Sequence, residues 1–183
     1  IEGNFDDCQN LVKTMFSDNK FSSSINMSGV NSINWVRIVA QTVYYFFSYF
    51  KICELNEKIN FSVPTGNFGD VYAGYISKKM GLPIDKLIVA TNKNDILHRA
   101  ISKGQYETSS VVETLSPSMD IQTASNFERL IYDVNEQSVD KTKKIMQEIK
   151  SKKKYLIEKK ELTKISEDFL SESVSEEEVL SCI

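Results

Sequence analysis

Apolar and polar positions alternate at Ile59, Phe61 and Val63, the two-residue period of a strand with one buried face. The loop Pro64-Thr65-Gly66-Asn67-Phe68-Gly69-Asp70 comes next. Val71, Tyr72, Gly74, Tyr75 and Ile76 then take up helical spacing, with Gly81 placed to stop the helix. The pattern recurs downstream. Leu82-Pro83 leads into the apolar run Leu87-Ile88-Val89-Ala90, the loop Thr91-Asn92-Lys93-Asn94-Asp95, and a helix through Ile96, Leu97, Ala100 and Ile101 to Gly104. Strand, loop and helix twice over, with no length left for hairpins, predict a parallel sheet with right-handed crossovers. Ligands of such sheets bind beyond the carboxyl ends of the strands, so the two loops are expected to face one crevice.

The flanking segments extend this frame. Cys8, Leu11, Val12, Met15 and Phe16 predict a helix with Asp6 and Asp7 near its positive end. Residues 20–29 read as a Ser/Asn-rich loop. A long helix is expected over 35–50, its stripe of Trp35, Ile38, Val39, Val43, Phe46, Phe47 and Phe50 broad enough to predict burial on more than one side. Its aromatic run reads as core rather than a ring-stacking cofactor box. Residues 106–117 are extended or irregular, and Ser125 is the expected N-cap of a helix reaching Val134, with Glu128 in its first turn. Beyond Asn135 the composition changes, to a Lys-rich amphipathic helix over 140–157 carrying Ile145, Met146, Ile149 and Leu156, and a further helix opened by Ser175-Glu176-Glu177-Glu178. The expected architecture is a three-layer α/β unit, mostly parallel sheet with helices on both faces, over 1–135. A truncated α-helical C-terminal segment is expected over 136–183.

Composition narrows the possibilities. The 183 residues are 41% hydrophobic and 26% charged, enough for a sizeable core, and the net charge of −3 argues against a nucleic-acid partner. The basic cluster at Lys150, Lys152, Lys153 and Lys154 reads as a solvated helix face. No apolar run reaches the ~18 residues of a membrane span. Cys8, Cys53 and Cys182 are too scattered for a disulfide framework, which fits a reducing compartment, and one histidine, His98, is too few for a His-based zinc site. The opening Ile1-Glu2-Gly3 suggests a piece of a longer protein.

The chemistry is concentrated in the first loop. Two glycines let backbone N–H groups approach an anion without a Cβ in the way, and the helix start behind them adds unpaired donors and the positive end of a dipole. Strand, Gly-rich loop and helix N-terminus together form a phosphate cradle; strand–turn–helix junctions with Gly also arise for structural reasons alone. Asn31, Ser32 and Asn34 either line a substrate pocket or cap the long helix. His98 reads as a satisfied surface or interface residue, Lys93 as a solvated loop lysine, and Asp120 and Arg129 as a structural pair.

Several motifs occur together and in order: Asn31-Ser32-Ile33-Asn34-Trp35, Gly66-Asn67-Phe68-Gly69-Asp70, Gly81-Leu82-Pro83, Ala90-Thr91-Asn92, Asn94-Asp95-Ile96-Leu97 and Ser125-Asn126-Phe127-Glu128-Arg129. With Ile1-Glu2-Gly3-Asn4-Phe5-Asp6-Asp7-Cys8-Gln9 and Leu115-Ser116-Pro117-Ser118-Met119-Asp120, they resemble the threonine synthase family. The resemblance implies a fold type II pyridoxal 5'-phosphate lyase that converts O-phosphohomoserine and water into threonine and phosphate, in the cytoplasm or a plastid. It carries Gly66, Asn67, Phe68, Gly69 and Asp70 over as the ligands of the cofactor phosphate. A carboxylate beside that phosphate would repel it, so the Asp70 side chain is expected to turn away and cap the helix. The family's Schiff-base lysine belongs to a Lys-Asp motif, and no Lys-Asp pair occurs in these residues. The piece alone is therefore expected to be inactive and, lacking part of its sheet, to self-associate. The competing expectation is a non-catalytic module holding a phosphorylated ligand, or a related phospho-lyase.

Overall fold

The structure is a computed structural model that describes residues 2–3, 5–29 and 33–183. Its first helices are α1 (Phe5–Ser17), α2 (Asn19–Ser24) and α3 (Trp35–Ile52). The two expected strand–loop–helix units follow as β1 (Ile59–Pro64), α4 (Gly69–Lys79), β2 (Ile84–Thr91) and α5 (Ile96–Lys103). A short strand β3 (Gln105–Glu107), a 3-10 turn (Pro117–Met119) and α6 (Phe127–Val134) lead to the C-terminal elements. Those are α7 (Val139–Lys152), β4 (Lys154–Leu156), α8 (Lys159–Asp168), β5 (Phe169–Ser173) and α9 (Glu176–Ser181).

The main sheet has the order β1-β2-β5, and both pairings are parallel. Val63 lies opposite Val89, and Val89 opposite Ser171. The central strand is β2, whose Leu87 and Val89 are fully buried, as a strand flanked on both edges requires. Helix α4 packs on β1 and β2, α5 on β2 and β5, and α8 on the same two strands. An aromatic cluster fills the space between these layers. Phe68, Phe127 and Phe169 are each almost wholly buried, with Phe68 5.4 Å from both of the others, ring centre to ring centre. Burying one such ring stabilises the fold by about 2–3 kcal/mol.

Three expectations change. Helix α3 buries Ile38, Thr42, Tyr45 and Tyr49 on one face, while Val36, Val43, Tyr44, Phe47 and Phe50 are more than 60% exposed, so it is covered on one side rather than several. Residues expected as loop form α2, capped by the Asp18 side chain on the Phe21 N–H. The Lys-rich helix ends earlier, at Lys153 in the left-handed conformation. Leu156 then lies exposed on β4, which pairs antiparallel with β3. The C-terminal segment does carry the expected helices, and β5 within it is also a full member of the main sheet. Ser175 opens α9 with a reciprocal capping box to Glu178, as its sequence predicts.

Candidate functional site

The loop between β1 and α4 is anchored at its start: the Thr65 N–H donates to Ala90 C=O at 2.8 Å and its hydroxyl to Val63 C=O at 2.6 Å. Both crevice loops therefore leave the carboxyl ends of neighbouring strands, as expected. Phe68 then takes the left-handed conformation, φ 63°, and becomes the N-cap residue of α4. A left-handed residue ahead of a right-handed helix turns successive backbone N–H groups toward one side, the geometry of an anion nest. Among the described residues no acceptor meets the N–H groups of Gly66, Phe68, Gly69, Asp70 or Val71. Phe68 and Gly69 are buried, and buried N–H groups without a partner are rare in native folds unless something else supplies the acceptor. The structure thus brings together four of the five predicted cradle residues as open donors.

The fifth, Asn67, works differently. Its Oδ1 accepts from the Ser125 N–H at 3.2 Å and the Ser125 hydroxyl at 3.0 Å. Its C=O accepts from the Asn126 N–H at 3.1 Å and Asn126 Nδ2 at 3.2 Å. Ser125 is therefore committed to the loop, and Asn126, not Ser125, is the N-cap of α6. Asn126 is held in turn by Arg129, whose Nε donates to Asn126 Oδ1 at 3.0 Å and whose guanidinium lies over the Trp35 ring at 5.3 Å. The start of α6 thereby sets the shape of the loop.

Asp70 does not cap the helix. It sits in the first turn of α4, where its carboxyl makes no capping bond, and its Oδ1 is buried without a hydrogen-bond partner. Burial pushes its proton affinity up. The nearby Tyr45 hydroxyl donates at 2.9 Å to the Asp70 backbone carbonyl. Tyr45 itself stays neutral, because burial and then the Asp70 charge raise its pKa far above the usual range.

The second loop is roofed over. Asp120 Oδ1 accepts from Asn92 Nδ2 at 2.7 Å, Asn94 Nδ2 at 3.0 Å and the Thr114 hydroxyl at 2.7 Å, while Oδ2 accepts from the Thr114 N–H at 2.9 Å. This buried network pins residues 108–122 across the carboxyl end of β2. Asp120 and Arg129, expected to pair, have separate partners. A Cβ at Gly66 would lie 3.0 Å from Ile121 Cδ1 and 3.2 Å from Met119 Cα, so the same cover closes down on the cradle loop. The Asp120 hub was missed by sequence reasoning, since its partners lie up to 28 residues away. The buried Asn92 and Asn94 are the signal that could have found it.

The remaining candidates separate. Asn34 is the N-cap of α3, its Oδ1 accepting from the Val36 N–H at 2.9 Å, the capping arrangement that the sequence offered as one of two readings. Asn31 and Ser32 lie outside the described residues. His98 Nδ1 is 3.2 Å from the Ser171 hydroxyl, between α5 and β5, and Lys93 is exposed. Among the described residues no cluster of His, Cys, Asp and Glu could hold a metal ion. A cleft of about 1310 Å³ opens behind Ser125 and Asn126, lined also by Trp35, Tyr72, Arg129 and Lys143. It does not reach the cradle amides.

No family model matches the chain. Individual proteins do. The threonine synthase of Pseudomonas aeruginosa is 45% identical over 183 residues, all of this chain and 39% of that protein. The threonine synthase of Saccharomyces cerevisiae is 47% identical, over all of this chain and 38% of that protein. A crystal structure of threonine synthase from Brucella melitensis, with PLP bound, superposes with a TM-score of 0.87 at 48% identity, over 97% of this chain and 38% of that one. The chain therefore spans 38–39% of the length of these relatives.

Proposed function

We propose that this chain is a part of a threonine synthase, and that it supplies the phosphate-holding part of a pyridoxal-phosphate lyase acting on O-phosphohomoserine. The observation that carries this reading is the row of unpartnered amides at the head of α4. A dianionic phosphate would fit the donors of Gly66, Phe68, Gly69 and Asp70, with Asn67 holding the loop in shape through Ser125 and Asn126. When bound, the cofactor supplies an electron sink for carbanions formed on an amino-acid substrate. The residues present here fix the position of its phosphate and, through the 108–122 cover, limit access of water to it. No lysine among them is assigned a covalent role. Lys93 is exposed, and it belongs to the roofed loop rather than to the cradle.

Two measurements test this function. Titration of the chain with inorganic phosphate or pyridoxal phosphate is expected to give saturable binding that Gly69→Pro, which deletes one cradle N–H at the start of α4, weakens at least tenfold. Addition of O-phosphohomoserine with pyridoxal phosphate to the chain alone is expected to release no phosphate, while the longer protein containing it does. Turnover by the 183 residues alone, or binding indifferent to the Gly69 N–H, overturns the reading. The half-exposed apolar side of α3 also supports self-association of the isolated chain as part of this proposal. Among the described residues no helix is long and apolar enough to cross a membrane, and a cytoplasmic setting belongs to the proposal.

A further inference from the structure

The Asp70 carboxyl is the unexplained group in this site. It stands in the first turn of α4, and its Oδ1 is buried with no hydrogen-bond partner. Its own N–H is one of the open cradle donors. Covalent geometry ties the two together. Any anion oxygen hydrogen-bonded to that N–H lies within about 7 Å of the Asp70 carboxyl, whichever way the side chain points. In a buried site such a distance couples two charges strongly.

Resting on the phosphate-cradle reading, we propose that the cradle binds its anion together with one proton, which Asp70 holds. A dianion placed beside a desolvated carboxylate disfavours the charged form on two counts, burial and like charge. Little in the structure offsets this. The carboxylate has no cap bond and no cation. The Tyr45 hydroxyl, bonded to the Asp70 backbone carbonyl and close to the carboxyl, eases the charge, but burial outweighs it. The helix dipole favours an anion at this end, but the dipole serves one negative charge better than three. Burial already raises the proton affinity of Asp70 in the absence of a ligand.

The surroundings leave Asp70 as the group that responds. Helix α3, packed along α4, presents Tyr45, which burial keeps neutral. Strand β1 carries no ionisable side chain. On β2, Asp85 and Lys86 lie at the opposite end of the sheet, where Lys78 Nζ reaches Asp85 C=O and Lys86 Nζ reaches Ser166 C=O. Asp70 is thus a specificity-determining residue. Its proton sets the pH range over which a dianion is retained, and the apparent affinity falls as pH rises, approaching tenfold per pH unit between the free and bound pKa of Asp70.

The test is calorimetric titration of the chain with inorganic phosphate at pH 8, in two buffers of different ionisation enthalpy. The expected result is uptake of a substantial fraction of one proton per phosphate bound, abolished in Asp70→Asn, whose phosphate affinity is equal or tighter and nearly flat from pH 7.5 to 9. Equal proton counts in the two proteins, or none in the wild type, overturn the proposal while leaving the cradle itself standing. Absence of phosphate binding overturns both. Should Asp70→Asn fail to fold, the wild-type titration is repeated with sulfate, a dianion that carries no proton of its own at pH 8: proton uptake there supports the proposal, and none overturns it.

Discussion

Gly74 and Phe68 show how tightly single residues fix the cradle. A Cβ at Gly74 would stand 2.6 Å from Tyr45 Cε1 and 2.8 Å from Leu87 Cδ2, and Tyr45 cannot swing away without leaving the Asp70 carbonyl. Gly74→Ala is expected to lower stability by about 2–3 kcal/mol, read by urea denaturation; an unchanged midpoint contradicts this packing. Phe68 accepts a left-handed backbone because its ring is wholly buried between Phe127 and Phe169. Phe68→Ala is expected to cost about 3–5 kcal/mol, whereas a loss below ~1 kcal/mol in the same assay would mean that the ring does not hold the turn. The glycines were legible in the sequence as the mark of a tight loop before a helix, although Gly66 serves by leaving room beneath Ile121 and Met119 and the left-handed residue is Phe68. The fate of Asp70 was not. An acidic residue near a helix start reads as a cap, but capping falls to the residue before the first turn, and here that residue is Phe68.

Element by element, β1, α4, β2 and α5 were readable because period and punctuation agree over short distances. Strand β5 was hidden: Phe169-Leu170-Ser171-Glu172-Ser173 has one strongly apolar face, supplied by Phe169, and its polar residues pair with a strand some 80 positions earlier. The junction ahead of it depends on Glu161. Burial works against its charge, but the Lys141 ammonium, the Tyr155 hydroxyl and the Glu158 N–H outweigh that and hold its pKa below the usual carboxylate range. A carboxylate depressed in the folded state contributes stability above its unfolded pKa, and that contribution fades as pH falls through the folded value. The melting temperature should therefore drop more steeply below pH ~4.5 in the wild type than in Glu161→Gln, which should be the less stable of the two at pH 7. Parallel melting curves across pH 3–7 would contradict the assignment.

At the scale of the molecule, the exposed side of α3 is the main departure from a self-contained fold. Val43, Phe47 and Phe50 are each more than 60% exposed on a helix whose other face packs on α4. The pattern predicted cover on both sides, and periodicity records only that a stripe is apolar, not whether the same 183 residues supply its cover. Light scattering of the isolated chain is expected to give a mass that rises with concentration above 20.9 kDa, and Phe47→Glu is expected to bring it back toward the monomer. A monomer at every concentration would contradict self-association. The most direct test concerns the amides at the head of α4. In an isotope-labelled sample titrated with inorganic phosphate, the amide resonances of Gly66, Phe68, Gly69 and Asp70 are predicted to shift together along one saturable curve. Binding that leaves those four resonances in place while moving others, or no binding at all, would contradict the account.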